Sequence, residues 1–226
     1  MLTETETHDS TVNDSQAREL LQQADELSRG MVAAAAPLRF CVAQSQEDLQ
    51  AVYRLRYEVI IARGWAQPED LPDGRECDEY DDHAVHIAAW DGLHIAATSR
   101  IVLPAPDVVL PTERAFGIKL EPHGQVVDMG RQIVAHAYSN VEHLVFAALL
   151  AQTWLEIHAR GYTLVCGDFT LAVTRLYRLM GFQVAQVGPA REFWGQERFP
   201  ILVDVASSVP ALLKRWGRFA QPGDRT

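Results

Sequence analysis

The sequence predicts a mixed α/β domain: one sheet with helices on its faces, preceded by a helical extension. Three observations predict it. Stretches of two-residue alternation recur between stretches of helical period. Asp91-Gly92 splits two apolar alternating runs, as a hairpin turn does. The helical stretches are bounded by capping residues and glycines, and strands interleaved with helices give a layered α/β architecture.

Taken in order, residues 1–14 are rich in Thr, Glu and Asp and read as a frayed tail. Asp14 or Ser15 caps a helix to Arg29, stopped by Gly30, whose stripe of Leu20, Leu21, Ala24 and Leu27 makes it either an arm packed on the body or a partner-binding arm. Two units follow from this, an extension over 1–37 and a body over 38–226. In the body, residues 38–43 alternate as a strand. Ser45 with Asp48 opens a capping box for a helix over 46–62. Residues 64–82 form a loop too long for a passive connector, which points to function. The hairpin runs are 83–90 and 93–103. A Pro-rich loop at 104–111, a short helix at 112–117 and a strand at 126–134 come next. Asn140 caps a helix over 141–159; residues 162–167 form a strand, 171–180 a helix stopped by Gly181, 182–187 and 199–205 strands, and 209–216 a terminal helix.

Composition bounds the function. The 226 residues are 48% hydrophobic and 22% charged, ordinary for a globular chain and long enough to fold without a metal or disulfide staple. A formal net charge of −10 argues against a nucleic-acid partner. Half of that charge lies in residues 1–30, with seven acids and two bases, and much of the rest in the 69–82 loop. The body is therefore nearly balanced and can present a local basic patch. Cys41, Cys77 and Cys166 are too few and too scattered for a disulfide framework or a cysteine zinc site, and H-E-x-x-H is absent, so no metal is expected. No 18-residue apolar run and no basic-then-apolar leader is present, so a cytoplasmic location is expected. The nucleophile elbow, the P-loop and G-x-G-x-x-G are also absent.

The chemistry-bearing signal is charge where burial makes it expensive. Arg100 interrupts an apolar strand, and Asp128 and Arg131 interrupt another. Three positions apart, Asp128 and Arg131 point to opposite faces of a regular strand, unless Gly130 marks a bulge. Asp78 and Asp81 end the long loop where they can reach these arginines, whereas Glu79 and Asp82 read as solvated. The plain alternative is structural ion pairing. Tyr177, on an amphipathic helix ending at Gly181, is either half-buried packing or a phenol that protonates a leaving group.

These residues carry a family resemblance. Leu176-Tyr-Arg-Leu-Met-Gly-Phe182 resembles the last motif of the GNAT acyltransferases, in which the tyrosine lies near the thioester sulfur. Arg56, Trp65, Asp78-x-x-Asp81, Arg100 and Asp128-x-x-Arg131 resemble, in order and spacing, the acyl-homoserine-lactone synthases and the related long-chain N-acyl amino acid synthases. The match spans about residues 38–206. It implies a GNAT-like, mostly antiparallel sheet flanked by helices, and transfer of an acyl group, of the fatty class, from acyl carrier protein or CoA to the amine of an amino acid or related small molecule. The thioester is a co-substrate; no permanent cofactor is implied. Asp128, Arg131, Arg100 and Tyr177 take catalytic places, with Asp128 as base or amine orienter. Arg56, Trp65, Asp78, Asp81 and Phe116 bind the acceptor. Val134, Ala135, Ala137, Ser139, Asn140 and Leu144 bind the donor, with backbone N–H groups just past residue 134 serving the oxyanion. The acyl chain runs along the 141–159 helix by Leu144, Val145 and Ala148.

The departures are informative. The lactone synthases usually have Glu at the Asp128 position, an aromatic near Ile60 and an aliphatic residue at the Tyr177 position, so the resemblance fits the N-acyl amino acid synthases better. The pyrophosphate loop Q/R-x-x-G-x-G/A is replaced by Ala135-His-Ala-Tyr-Ser-Asn140, without glycine, which favours a carrier-protein donor. Arg160, Arg175, Arg178, Lys214, Arg215 and Arg218 are the candidates to meet such an acidic carrier. The rival readings are a lactone synthase using S-adenosylmethionine, a small-acyl CoA acetyltransferase and a non-catalytic GNAT-like module.

Overall fold

The computed structural model describes residues 5–193 and 195–220. In chain order the elements are α1 (Thr5–Ala34), β1 (Arg39–Val42), α2 (Gln46–Ala62), β2 (Val85–Asp91), β3 (His94–Val102), α3 (Pro111–Phe116), β4 (Val126–Val134), α4 (Glu142–Ala159), β5 (Leu164–Phe169), α5 (Leu171–Met180), β6 (Val184–Gln186), β7 (Arg191–Phe193), β8 (Gln196–Asp204) and α6 (Val205–Trp216). The eight strands form one sheet in the order β1-β2-β3-β4-β5-β8-β6, with β7 pairing β8. Among the described residues β4 and β5 are the one parallel pair, and the other pairs are antiparallel.

Local chemistry accounts for most boundaries. Ser45 and Asp48 close the expected capping box on α2. Gly92 turns the β2–β3 hairpin at φ +57°, and Gly181 ends α5 at φ +109°, backbone regions open to glycine. Four expectations are corrected. The N-terminal helix begins by Thr5, not at Asp14 or Ser15, and runs through Gly30 to Ala34; residues 1–4 of the expected tail lie outside the described chain. Gly30 is a close-approach site, since a Cβ there would lie 1.5 Å from the Phe219 carbonyl oxygen. Asn140 does not cap α4: a 3-10 turn over His136–Val141 takes Asn140 inside it, and α4 starts one residue beyond. α6 starts four residues early, where the Asp204 carboxylate accepts the Ala206 N–H, and it tolerates Pro210.

Two unlike faces clothe the sheet. On one, Ile87, Ala97, Ile101, Val127, Val165 and Ile201 join α4 and Tyr177 of α5 in the main apolar core. There α1 packs, burying Ala24 and Leu27. The Asp25 carboxylate pins it to α4, accepting the Trp154 Nε1–H at 3.0 Å and lying 2.8 Å from His158 Nδ1. Of the two roles expected for this helix, the structure thus has it packed on the body. On the opposite face, α2 covers Ala88 and Trp90, and the 64–84 loop covers the charged residues.

Candidate active site

Three arginines and three carboxylates are interlocked on that second face. Arg56 is fully buried. Its guanidinium grips Asp81 with two parallel bonds of 2.8 and 3.0 Å and also donates to Glu76. Arg100 donates to Asp78 at 2.6 Å and to Asp81 at 3.0 Å. Arg131 donates to Glu76 at 3.0 Å and to Asp78 at 3.0 Å. Three cations meet three anions, and forked pairing offsets the desolvation that an isolated charge would suffer. The lattice ties strand residues to the long loop, so the loop is an ordered wall of the site.

The lattice perturbs its carboxylates. Burial works to raise the Asp81 carboxyl, but the bonds and charge of Arg56, with Arg100, outweigh it and pull the value down to about 2. Burial is likewise outweighed at Glu76, by Arg131 and Arg56, and its carboxyl is lowered. A carboxyl lowered in the folded state stabilises fully above its unfolded value and loses that stabilisation as pH falls through the folded one. The urea midpoint is therefore expected to hold at neutral pH and to drop as pH falls from 3.8 toward about 2. A midpoint that stays flat through that window would contradict the lattice.

A bulge in β4 sets which residues face the lattice. Arg100 pairs with Gly130 and Thr98 with Ile133, so two steps on β3 match three on β4. The extra residue lies at Arg131, whose φ is +52°, a strained value for a non-glycine. One extra residue reverses the alternation beyond it. Without it Arg131 would point to the apolar face; with it Arg131 joins Arg100 and Gln132 turns toward Tyr177. The bulge anticipated at Gly130 is thus present one residue on.

β4 and β5 are paired from Val126–Leu164 to Asp128–Cys166 and then part. Into the gap opens a cleft of about 350 Å³ lined by Ile60, Trp65, Arg131, Gln132, Asp168 and Arg198, among others. Trp65 is flanked there by two guanidiniums, with Arg63 5.0 Å and Arg198 5.6 Å from its ring centre. Asp168 holds Arg198 at 2.5 Å. On the other side of the sheet lies a narrow apolar cavity of about 70 Å³, between α4, α5 and the roof that α1 provides. Cleft and cavity share two lining residues, Met129 and Phe169. A third space, a groove of about 830 Å³, runs between α2 and the start of the 3-10 turn.

The expected residues fall into these places unevenly. Arg56, Arg100, Arg131, Asp78 and Asp81 come together as the lattice, and Trp65 lines the cleft. Val134, Ala135, Ala137 and Ser139 line the groove; Asn140 and Leu144 do not. The apolar cavity takes Ala147, Leu150 and Ala151 of α4, not Leu144, Val145 or Ala148, because the cavity lies along the helix stripe that α1 covers. The Ala135 N–H beyond the strand is committed to the Ala96 carbonyl at 2.8 Å. Phe116 is buried on α3. Glu79 and Asp82 are exposed, as expected.

Asp128 stands outside the lattice. It is 4% exposed, at the last pair before the strands part, and it accepts the Thr112 N–H at 2.7 Å. Burial raises its carboxyl against the opposing Thr112 bonds, so it binds a proton more tightly than an ordinary carboxylate. Tyr177 is 1% exposed, and its O–H donates to Gln132 Oε1 at 2.6 Å. Burial pushes this phenol up. Glu76, Gln132 and the Asp168–Arg198 pair were missed from sequence. Glu76 had a signal: three interior arginines against Asp78 and Asp81 leave one cation without an anion.

The strand pair parts just before a bulge, with a cleft on one side of the sheet and an apolar cavity on the other, an arrangement also found in known folds. A family model for the "Acetyltransferase (GNAT) domain" matches residues 55–148, from α2 into α4. The fold is the GNAT acyltransferase fold. Among solved structures, TofI in a ternary complex with an inhibitor and MTA is similar at TM-score 0.62 and 20% identity, over 80% of this chain and 99% of that one. BjaI, a CoA-dependent acyl-homoserine lactone synthase with SAM and isopentyl-CoA, is similar at TM-score 0.61 and 22% identity, over 82% and 90%. FeeM, an N-acyl amino acid synthase from uncultured soil microbes, is similar at TM-score 0.62 and 14% identity, over 78% and 97%. No curated protein matches the chain. This GNAT fold contains no helix, among the described residues, long and apolar enough to cross a membrane.

Proposed function

We propose that this GNAT-fold chain is an N-acyltransferase that moves a fatty acyl group from a thioester to the amine of an amino acid or related small molecule. The observation that carries the reading is the parting of β4 and β5. It leaves a charged cleft on one side and an apolar cavity on the other, meeting at Met129 and Phe169. A thioester carbonyl at that junction has its chain on the apolar side and the attacking amine on the charged side. Asp128, at the vertex, takes the amine proton as nitrogen attacks, the role its raised proton affinity suits. Trp65, Arg63 and Arg198 line the acceptor's place, and the lattice anchors the far end of the loop that carries Trp65.

The donor arm lies in the groove at Val134–Ser139. Its glycine-free turn, and the exposed Arg175 and Arg178 beside exposed Leu176 and Leu179 on α5, fit an acidic carrier protein better than free CoA. Arg160 suits that role less well, since it is held by Glu156 at 2.6 Å. The test is to incubate the purified protein with acetyl and long-chain acyl thioesters, on CoA and on carrier protein, and a panel of amines. Amide from long-chain thioesters is expected by mass spectrometry. Amide from acetyl-CoA alone would overturn the fatty-acyl reading, and release of methylthioadenosine from S-adenosylmethionine would identify a lactone synthase instead.

A further inference from the structure

The Gln132 side chain is placed as no ordinary strand residue would be. The bulge at Arg131 turns it to the Tyr177 face. There the buried phenol has one hydrogen-bond partner among the described residues, Gln132 Oε1 at 2.6 Å. The phenol O–H donates to the amide oxygen, which leaves the amide nitrogen facing away from Tyr177. That nitrogen, Gln132 Nε2, is buried and has no hydrogen-bond partner among the described residues. A buried donor left unpaired is destabilising, and an unpaired polar group in a native structure calls for a reason. Gln132 also lines the cleft where β4 and β5 part, and the Ala135 N–H beyond it is already bonded to Ala96.

We propose that the Gln132 amide is the donor that receives the thioester carbonyl oxygen as it becomes an oxyanion, and that Tyr177 is the positioning residue that aims it. The inference rests on the acyl-transfer reading above. In the step, the amine nitrogen bonds to the carbonyl carbon and the C=O electron pair moves onto oxygen, where the Gln132 N–H bond strengthens. The amine proton passes to Asp128 as nitrogen bonds, the pair then returns, the C–S bond breaks, and the departing thiolate takes up the proton that Asp128 received, leaving the free thiol and the carboxylate restored. A donor fixed before the charge develops needs no reorganisation, which makes such groups effective. It also gives the Tyr177 hydroxyl a task other than protonating sulfur.

Two readouts test this. The first needs no acceptor: the carbonyl stretch of a ¹³C-labelled long-chain acyl-CoA bound to the protein. It is expected at lower frequency than in water, with the shift lost in Gln132→Met while the Kd stays within about threefold. Bound thioester without the shift overturns the proposal even if transfer occurs, and a shift without transfer upholds it while the transfer reading fails. The second is a double-mutant cycle on turnover. Gln132→Met and Gln132→Glu should each lower kcat about 10²-fold, with thioester KM nearly unchanged. Tyr177→Phe should lower kcat less, and adding it to Gln132→Met should do no further harm, because the two act as one unit. Full turnover in Gln132→Met with native melting, a loss confined to KM, or multiplying losses in the double variant would overturn it. A Tyr177→Phe loss larger than that of Gln132→Met would restore the phenol as general acid.

Discussion

Arg56→Met is expected to lower folding stability by about 3–5 kcal/mol, the usual consequence of removing one partner from a buried charge network. Methionine replaces the stem but leaves Glu76 and Asp81 facing each other without the guanidinium that binds both. The effect is the largest expected of any single change because Arg56 is fully buried and touches two of the three carboxylates. It is measured as a fall in urea midpoint at unchanged slope. Since the loop hangs on these carboxylates, its backbone amides should also lose hydrogen-exchange protection before those of β2 and β3 do. A loss below about 1 kcal/mol, the size typical of exposed pairs, would mean that the lattice is not structural.

Asp128→Asn is expected to act the opposite way, on turnover and not on fold. Proton transfer by a positioned group contributes typically about 10²–10⁴-fold, and a loss of that size in kcat is expected. Asparagine keeps an oxygen for the Thr112 N–H, so packing is retained. The stability sign follows from the raised carboxyl. A group raised in the folded state contributes below its unfolded value and loses that contribution as pH rises through its folded one. The uncharged variant should therefore gain on the parent as pH rises above 3.8 through the folded value, and hold that gain without further change beyond it. Unchanged kcat would remove Asp128 from the chemistry, and a melting temperature that collapses would make it a structural residue.

Most of the scaffold was legible in the sequence because its signals are local. A capping box, a turn glycine or an alternating run acts within a few residues, and α2, β4 and α5 are found where those signals put them. The misses arise where distant contacts decide. Gly30 reads as a stop, but it serves the close passage of Phe219, far along the chain. Asn140 reads as a cap, but the turn leaving the bulged strand winds past it. At the site, costly charges in apolar strands pointed to Arg100 and Arg131, and loop position to Asp78 and Asp81. Glu76 was hidden among loop acids that individually look solvated. Gln132 could not be found because its orientation depends on a register shift with β3.

Acyl transfer at the parted strands is tested by following thiol release and amide formation together. Purified protein is mixed with a long-chain acyl thioester, with and without an amine, beside the Asp128→Asn variant. Free thiol is expected only when amine is present, in one-to-one ratio with an amide that carries the acyl chain, and the variant should slow both equally. Thiol released without amine, or no thiol from any acyl thioester on CoA or carrier protein, would contradict it.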